Sequence, residues 1–254
     1  MNKSKTVIWS LCLALILFGG IALGSLQSPQ ANSAQGKIDV THFPEVEFST
    51  PLPADPTERA KRQAKSKKYN NGKYSPTITE STDQIFVVSD WDLRLPAFPV
   101  AKSSSIIVCQ VIAAHAYLSD DRTDIYSEFS VRVDQILKDD TQEPFTNGST
   151  IVVERKGGRV RFPSGKTAVS LVNHQDMPRV GSRYVLFLTH NFPQGGQIES
   201  SYILTGYEFR AGQMFALDKI PGGPIAAYNG ADEVLFLRDL QNALVTANPA
   251  DPPK

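Results

Sequence analysis

From residue 105 onward apolar side chains either fill consecutive positions or recur at every second one, and both patterns belong to strands. Ile106, Ile107, Val108, Cys109, Val111 and Ile112 form a nearly continuous apolar run, which predicts a strand covered on both faces. After the turn-forming Ser119-Asp120-Asp121-Arg122 the chain alternates. Ile125, Phe129, Val131 and Val133 point one way, while Tyr126, Glu128, Ser130, Arg132 and Asp134 point the other, so a half-exposed strand pairs with the first in a long hairpin. Ile151-Val152-Val153 runs into Gly157-Gly158 and out through Val160 and Phe162. That spacing predicts a two-residue hairpin with Glu154 opposite Arg161 and Val153 opposite Phe162. A β-turn on Pro163-Ser164-Gly165 precedes the strand-like Ala168–Val172. Tyr184–Leu188 is apolar on both faces and is expected at the centre of a sheet. Tyr202–Phe209 and Gln213–Leu217 flank Ala211-Gly212 as a compact hairpin, and Pro221-Gly222-Gly223-Pro224 closes the sheet region. Asp232 and Glu233 then open a helix with Val234, Leu237, Leu240 and Leu244 on one stripe, expected to pack on an open end of the sheet.

The upstream third reads differently. Lys3 and Lys5 precede an uncharged run from Val7 to Leu26, the order of an export leader, so an N-terminal hydrophobic helix is expected over 1–26. Both a cleaved signal peptide and a retained membrane anchor fit it, and either way the Lys-first flank places the remainder outside the cytoplasm, as a cell-envelope (periplasmic or membrane-anchored) or secreted protein. Residues 27–75 read as a Pro-rich and basic linker. Within it Asp55-Pro56-Thr57-Glu58 starts a short polar helix to about Lys68 that lacks an apolar stripe and reads as a solvated spacer. Residues 76–247 form the β domain with its C-terminal helix, and 248–254, with three prolines, a disordered tail.

The segments SSIIVCQV, YSEFSVRVDQILK, GSTIVVERKGGRV and GSRYVLFLTH, spread over about half of the chain, resemble a group of exported bacterial proteins of uncharacterised function. Their strand order resembles a small oligonucleotide/oligosaccharide-binding (OB) barrel. The resemblance therefore implies a mainly β fold, a small antiparallel Greek-key (OB-like) barrel or sandwich. It carries no activity and no functional residues, because this architecture hosts unrelated functions.

Charge narrows the choice of partner. The whole chain is neutral, with 26 basic and 26 acidic residues. The balance hides a segregation, since 58–73 carries seven basic residues against Glu58, while from Ser75 onward 16 basic face 21 acidic residues. A net-acidic domain repels a phosphate backbone, so no nucleic-acid partner is expected. Cys12 lies in the leader, which leaves Cys109 alone among Ile and Val as a buried, inert thiol.

Candidate chemistry is sparse. Gly165-Lys166-Thr167 ends like a phosphate loop, but Val160 stands where the earlier glycine is needed and a strand follows instead of a helix. His42, His115, His174 and His190 lack paired spacing, and Asp120, Asp121 and Asp124 lack the glycine and distal glutamate of a calcium loop, so neither a metal nor another cofactor is expected. Whether the chain is an enzyme stays open. No catalytic residue is nominated, and a site assembled from distant loops would fall near His174, Asp176 and His190.

The one surface that stands out is Arg155, Lys156, Arg159, Arg161 and Lys166, five cations around Gly157-Gly158. They form either a protected sheet edge or an anion-binding patch. The expected function is a non-catalytic extracytoplasmic module that binds a protein or polysaccharide through a barrel face or hairpin tips. Its expected partners are a protein, an acidic glycan or an anionic surface, with membrane contact through the N-terminal segment if that is uncleaved. The alternatives are an extracytoplasmic enzyme and a secreted inhibitor-like or scaffold protein acting through an exposed N-terminal strand.

Overall fold

A computed structural model describes residues 38–87, 94–139, 144–191 and 200–247. The chain divides into Met1–Gln35 and Gly36–Lys254, and all described residues belong to the second unit. The leader, 27–37 and the 248–254 tail lie outside the described residues. Among those described, no helix is long and apolar enough to cross a membrane.

The described residues are mainly β. The predicted long hairpin is β3 (Ser105–Leu118) and β4 (Ile125–Asp139); for reference, the shorter β1 (Glu45–Glu47) and β2 (Gln84–Val87) precede them. β5 (Thr150–Lys156) pairs antiparallel with β4, and β8 (Arg183–Asn191) pairs antiparallel with β3 on its other edge. β9 (Ser200–Arg210) pairs antiparallel with β8 and, at Val153↔Ser201 and Glu154↔Tyr202, parallel with β5. Followed in order, β3–β4–β5–β9–β8 leads back to β3. The expected Ala211-Gly212 hairpin joins β9 to β10 (Gln213–Ala216), and a two-residue β11 (Ala231–Asp232) extends that sheet to seven strands. A second, four-stranded sheet runs β1–β6–β7–β2, with β6 spanning Gly158–Arg161 and β7 Thr167–Val172.

Apolar periodicity explains which strand faces which layer. Ile107, Cys109 and Val111 of β3 and Tyr184, Leu186 and Leu188 of β8 enter one core with Phe129, Val131 and Val133 of β4. Their neighbours Ile106, Val108, Val185 and Phe187 point the other way, into a second core closed by helix α2 (Glu233–Ala247) through Phe236, Leu240 and Leu244. β3 and β8 are therefore apolar on both faces, and β4 alternates because its outer face at Glu128, Ser130 and Arg132 meets charged groups and solvent instead of a second apolar layer. A bulge between Val111 and Ala113 reverses the parity of β3 and turns Ile112 outward, 45% exposed. The far end of the hairpin (Ala116, Ile125) packs on Val46, Val160, Phe162 and Ala168 of the four-stranded sheet in a third core.

Two expectations need correction. β5 and β6 do not form a hairpin: β5 pairs with β4 and β9, whereas β6 pairs with β7 and β1, so Glu154 faces Glu128 and Arg161 faces Thr167. Gly157 (φ 103°) is where the chain passes from one sheet to the other, and a Cβ there would sit 2.6 Å from Met177 Cε and 2.9 Å from the Ser170 carbonyl. The glycine pair marks a close crossing of sheets. The real hairpin is β6–β7, turning on Pro163-Ser164-Gly165 with the Gly165 N–H donating to the Phe162 carbonyl at 2.9 Å. The 27–57 stretch is also not all linker. Phe43 is buried in the first core, and β1 lies parallel to β6 with Val46 in the third. Proline spacing concealed this, because one apolar residue in a three-residue edge strand leaves no periodicity to detect.

Candidate ligand groove at a hairpin tip

Helix α1 (Pro56–Lys67) starts as expected, with the Asp55 carboxylate accepting from the Glu58 N–H at 2.8 Å. It is not a free-standing spacer. Glu128 and Glu154 lie directly opposite on β4 and β5, both buried, an arrangement that like charge makes unfavourable unless cations meet it. α1 supplies them: Arg62 grips Glu128 with two bonds (2.6 and 3.2 Å), and Lys65 reaches Glu128 at 2.9 Å and Glu154 at 2.8 Å. Just past the helix, Tyr69 donates to Glu154 at 2.6 Å and its ring lies parallel to Tyr126, centroids 4.0 Å apart. Burial pushes the Glu128 carboxyl up, yet the bonds from Arg62 and Lys65 prevail and hold it below the usual glutamate value. The outer face of β4 and β5 is thus covered by the chain's own helix at Glu128 and Glu154, while Val152 farther along β5 stays 46% exposed.

Beside this contact opens a groove of about 370 Å³. Its walls are the 46–53 segment, α1 at Arg62, Gln63 and Ser66, and the β3–β4 tip from Tyr117 to Arg122. Side-chain bonds, not apolar packing, fix the tip. Ser119 Oγ accepts from the N–H groups of Thr123 and Asp124, both at 3.0 Å, and donates to Asp121 at 2.8 Å. Burial works against the Asp121 carboxylate, but hydrogen bonds from Thr123, Ser119 and Gly72 outweigh it and lower its pKa. These ties hold Arg122 in the left-handed region, φ 55°.

Two arginines border the groove, each laid on an aromatic ring. The Arg62 guanidinium lies 3.7 Å from the Tyr117 centroid and that of Arg122 4.7 Å from the Phe48 centroid. Arg62 is committed to Glu128 and Tyr126, and Glu47 to Arg161 at 2.7 Å. Among the described residues, the side chains of Thr50, Gln63, Asp120 and Arg122 make no hydrogen bond or ion pair, which leaves donors and acceptors facing the opening.

The five cations anticipated around Gly157-Gly158 are dispersed. Arg155 is buried and bonded to Asp218, and Lys156 is half-buried at the end of β5. Arg159 and Arg161 do come together on β6, where Glu45 pairs with both at 2.9 and 3.0 Å. Lys166 is exposed in the β6–β7 turn. His174, Asp176 and His190 take separate partners. His174 bonds the Lys219 carbonyl (3.2 Å), Asp176 pairs with His42 (2.9 Å), and His190 lies between Ser105 (2.8 Å) and Ser201 (2.9 Å), with burial lowering its pKa. Both serines are buried. Cys109 is fully buried and burial pushes its thiol up, far from a reactive thiolate. Asp121 and Asp124 turn to different partners, and among the described residues no three His, Cys, Asp or Glu side chains gather as a metal site.

Sequence reasoning saw Asp120-Asp121-Arg122 as a turn and weighed Asp120 and Asp121 only as calcium ligands, not as the rim of a groove. Phe48 and Gln63, 60 or more residues upstream of the tip or on a helix read as solvated, carried no signal of the groove they help to form. No protein-family model, curated protein or solved structure matches this chain.

Proposed function

We propose that this chain is an exported, non-catalytic module that binds a polysaccharide in the groove at the β3–β4 tip. The circuit β3–β4–β5–β9–β8 reads as an OB-like Greek-key barrel. That reading is supported by an antiparallel three-strand meander, an antiparallel β8–β9 pair, and closure through antiparallel β3–β8 and parallel β5–β9 contacts. Barrels of this kind take oligosaccharides on the face of their second and third strands and on the loops between the first and second and between the fourth and fifth. Here α1 covers that face at Glu128 and Glu154, and the first of these loops, Ser119–Asp124, borders the groove. Export is the reading of the Lys-flanked apolar leader.

The observation that carries the proposal is the mixed set of uncommitted groups in the groove. Thr50, Gln63 and Asp120 suit a hydroxyl-rich chain, each hydroxyl being both donor and acceptor. Cleavage of a glycosidic bond calls for two cooperating carboxyls, and of the two acids in the lining Glu47 is tied to Arg161, so binding without hydrolysis is the better reading. The full chain incubated with an array of neutral and acidic oligosaccharides is expected to retain a subset. Asp120→Ala or Gln63→Ala should then weaken the retained binders about tenfold by calorimetry, as expected for losing one or two hydrogen bonds. Retention of no oligosaccharide, or capture of a protein by a surface that these substitutions do not touch, would end the proposal.

A further inference from the structure

We infer that the groove selects acidic polysaccharide, with Arg122 receiving a carboxylate of the chain; this rests on the groove reading above and names the class of ligand. Four observations converge on Arg122. The neighbouring arginines are spoken for: Arg62 by Glu128, Arg159 by Glu45, Arg161 by Glu45 and Glu47. Arg122 has no acidic partner among the described residues, is exposed, and lines the groove. Its guanidinium lies over the Phe48 ring, which in turn packs against Phe162 at 5.0 Å. Finally, its backbone sits at φ 55°, where a long side chain is disfavoured and glycine or asparagine would be easier. Strain retained at a residue that faces an opening is characteristic of ligand clamps.

A guanidinium is a planar fork of N–H donors, which matches a planar carboxylate in a bidentate pair. Asp120, the adjacent uncommitted acid, sets the other half of the specificity. It accepts from a hydroxyl but repels a chain on which every accessible group is anionic. A polymer bearing hydroxyls and a carboxylate on one ring, as in a uronic acid, satisfies both residues, whereas a phosphodiester backbone satisfies only Arg122.

The test uses the full chain against a panel of uronate-containing oligosaccharides, each paired with its carboxyl-reduced, neutral counterpart. At least one acid is expected to bind ten or more times tighter than its reduced partner. Arg122→Gln should remove that preference, lowering the affinity for the acid tenfold or more and that for the reduced form much less. Arg122→Gly should remove it too while raising the melting temperature, since glycine relaxes the backbone, and that separates lost recognition from lost folding. Equal binding of acid and reduced forms, with Arg122→Gln silent, overturns the inference and leaves the groove reading standing. No binding by any member of either series overturns both.

Discussion

Asp124 sits at the foot of the β3–β4 tip with no exposed surface, and only one of its two carboxylate oxygens is bonded, to Ser170 at 2.7 Å and the Ile125 N–H at 2.7 Å. Burial is the main cause of a pKa pushed up to about 6. The folded carboxyl keeps its proton to about pH 6 while the unfolded one loses it near 3.8, so between those values the folded state binds more protons and stability falls as pH rises. Above that window the penalty is complete. Asp124→Asn should therefore be more stable than the parent at pH 7.5, by about 1–2 kcal/mol after the imperfectly bonded amide is allowed for, and should lose the advantage at pH 4. Urea unfolding of both proteins at the two pH values measures this, and a difference independent of pH would contradict it. Glu128 works in the opposite sense, its depressed pKa adding stability that is lost in acid, so the comparison must be between variant and parent at each pH. Asp218 shows the other solution for a buried acid: Arg155 and Thr205 bond its two oxygens, and all three residues are buried.

At the scale of elements, α1 shows how little a helix's own pattern says about its place. Its only buried residue is Ser66, yet Arg62 and Lys65 neutralise a facing pair of buried glutamates. Lys65→Met removes the cation shared by Glu128 and Glu154. A fully buried pair broken in this way costs about 3–5 kcal/mol. Because the Lys65 side chain is a quarter exposed, the expected loss is nearer ~2 kcal/mol, read from the denaturant midpoint at pH 7. A loss within error would mean that α1 rests on the sheet without stabilising it. The converse holds for β3 and β8, whose doubly apolar runs correctly announced two covered faces. The Gly157-Gly158 pair was misleading because a hairpin turn and a crossing between sheets both require positive φ.

For the molecule as a whole, the strand-rich region is not self-sufficient. Phe43, Val46 and Tyr69 are buried against it, and α1 answers its paired acids. A chain beginning at residue 76 is expected to aggregate or to lose its cooperative unfolding transition, whereas the full chain retains one; circular dichroism on heating distinguishes the two. The sequence by itself determined the strands from Ser105 to Ala216, the two hairpins at Ser119–Asp124 and Ala211-Gly212, the C-terminal helix and the capped start of α1, because period, turn residues and caps are local and each is written within about ten positions. Only the tertiary structure decided that β5 pairs with β9 instead of β6, that Glu45 and Glu47 quench the cations of β6, and that Phe48, Gln63 and Arg122 border one groove. Those outcomes depend on which distant surfaces meet, and charge and packing energies between segments tens of residues apart leave no trace in the pattern of either segment alone.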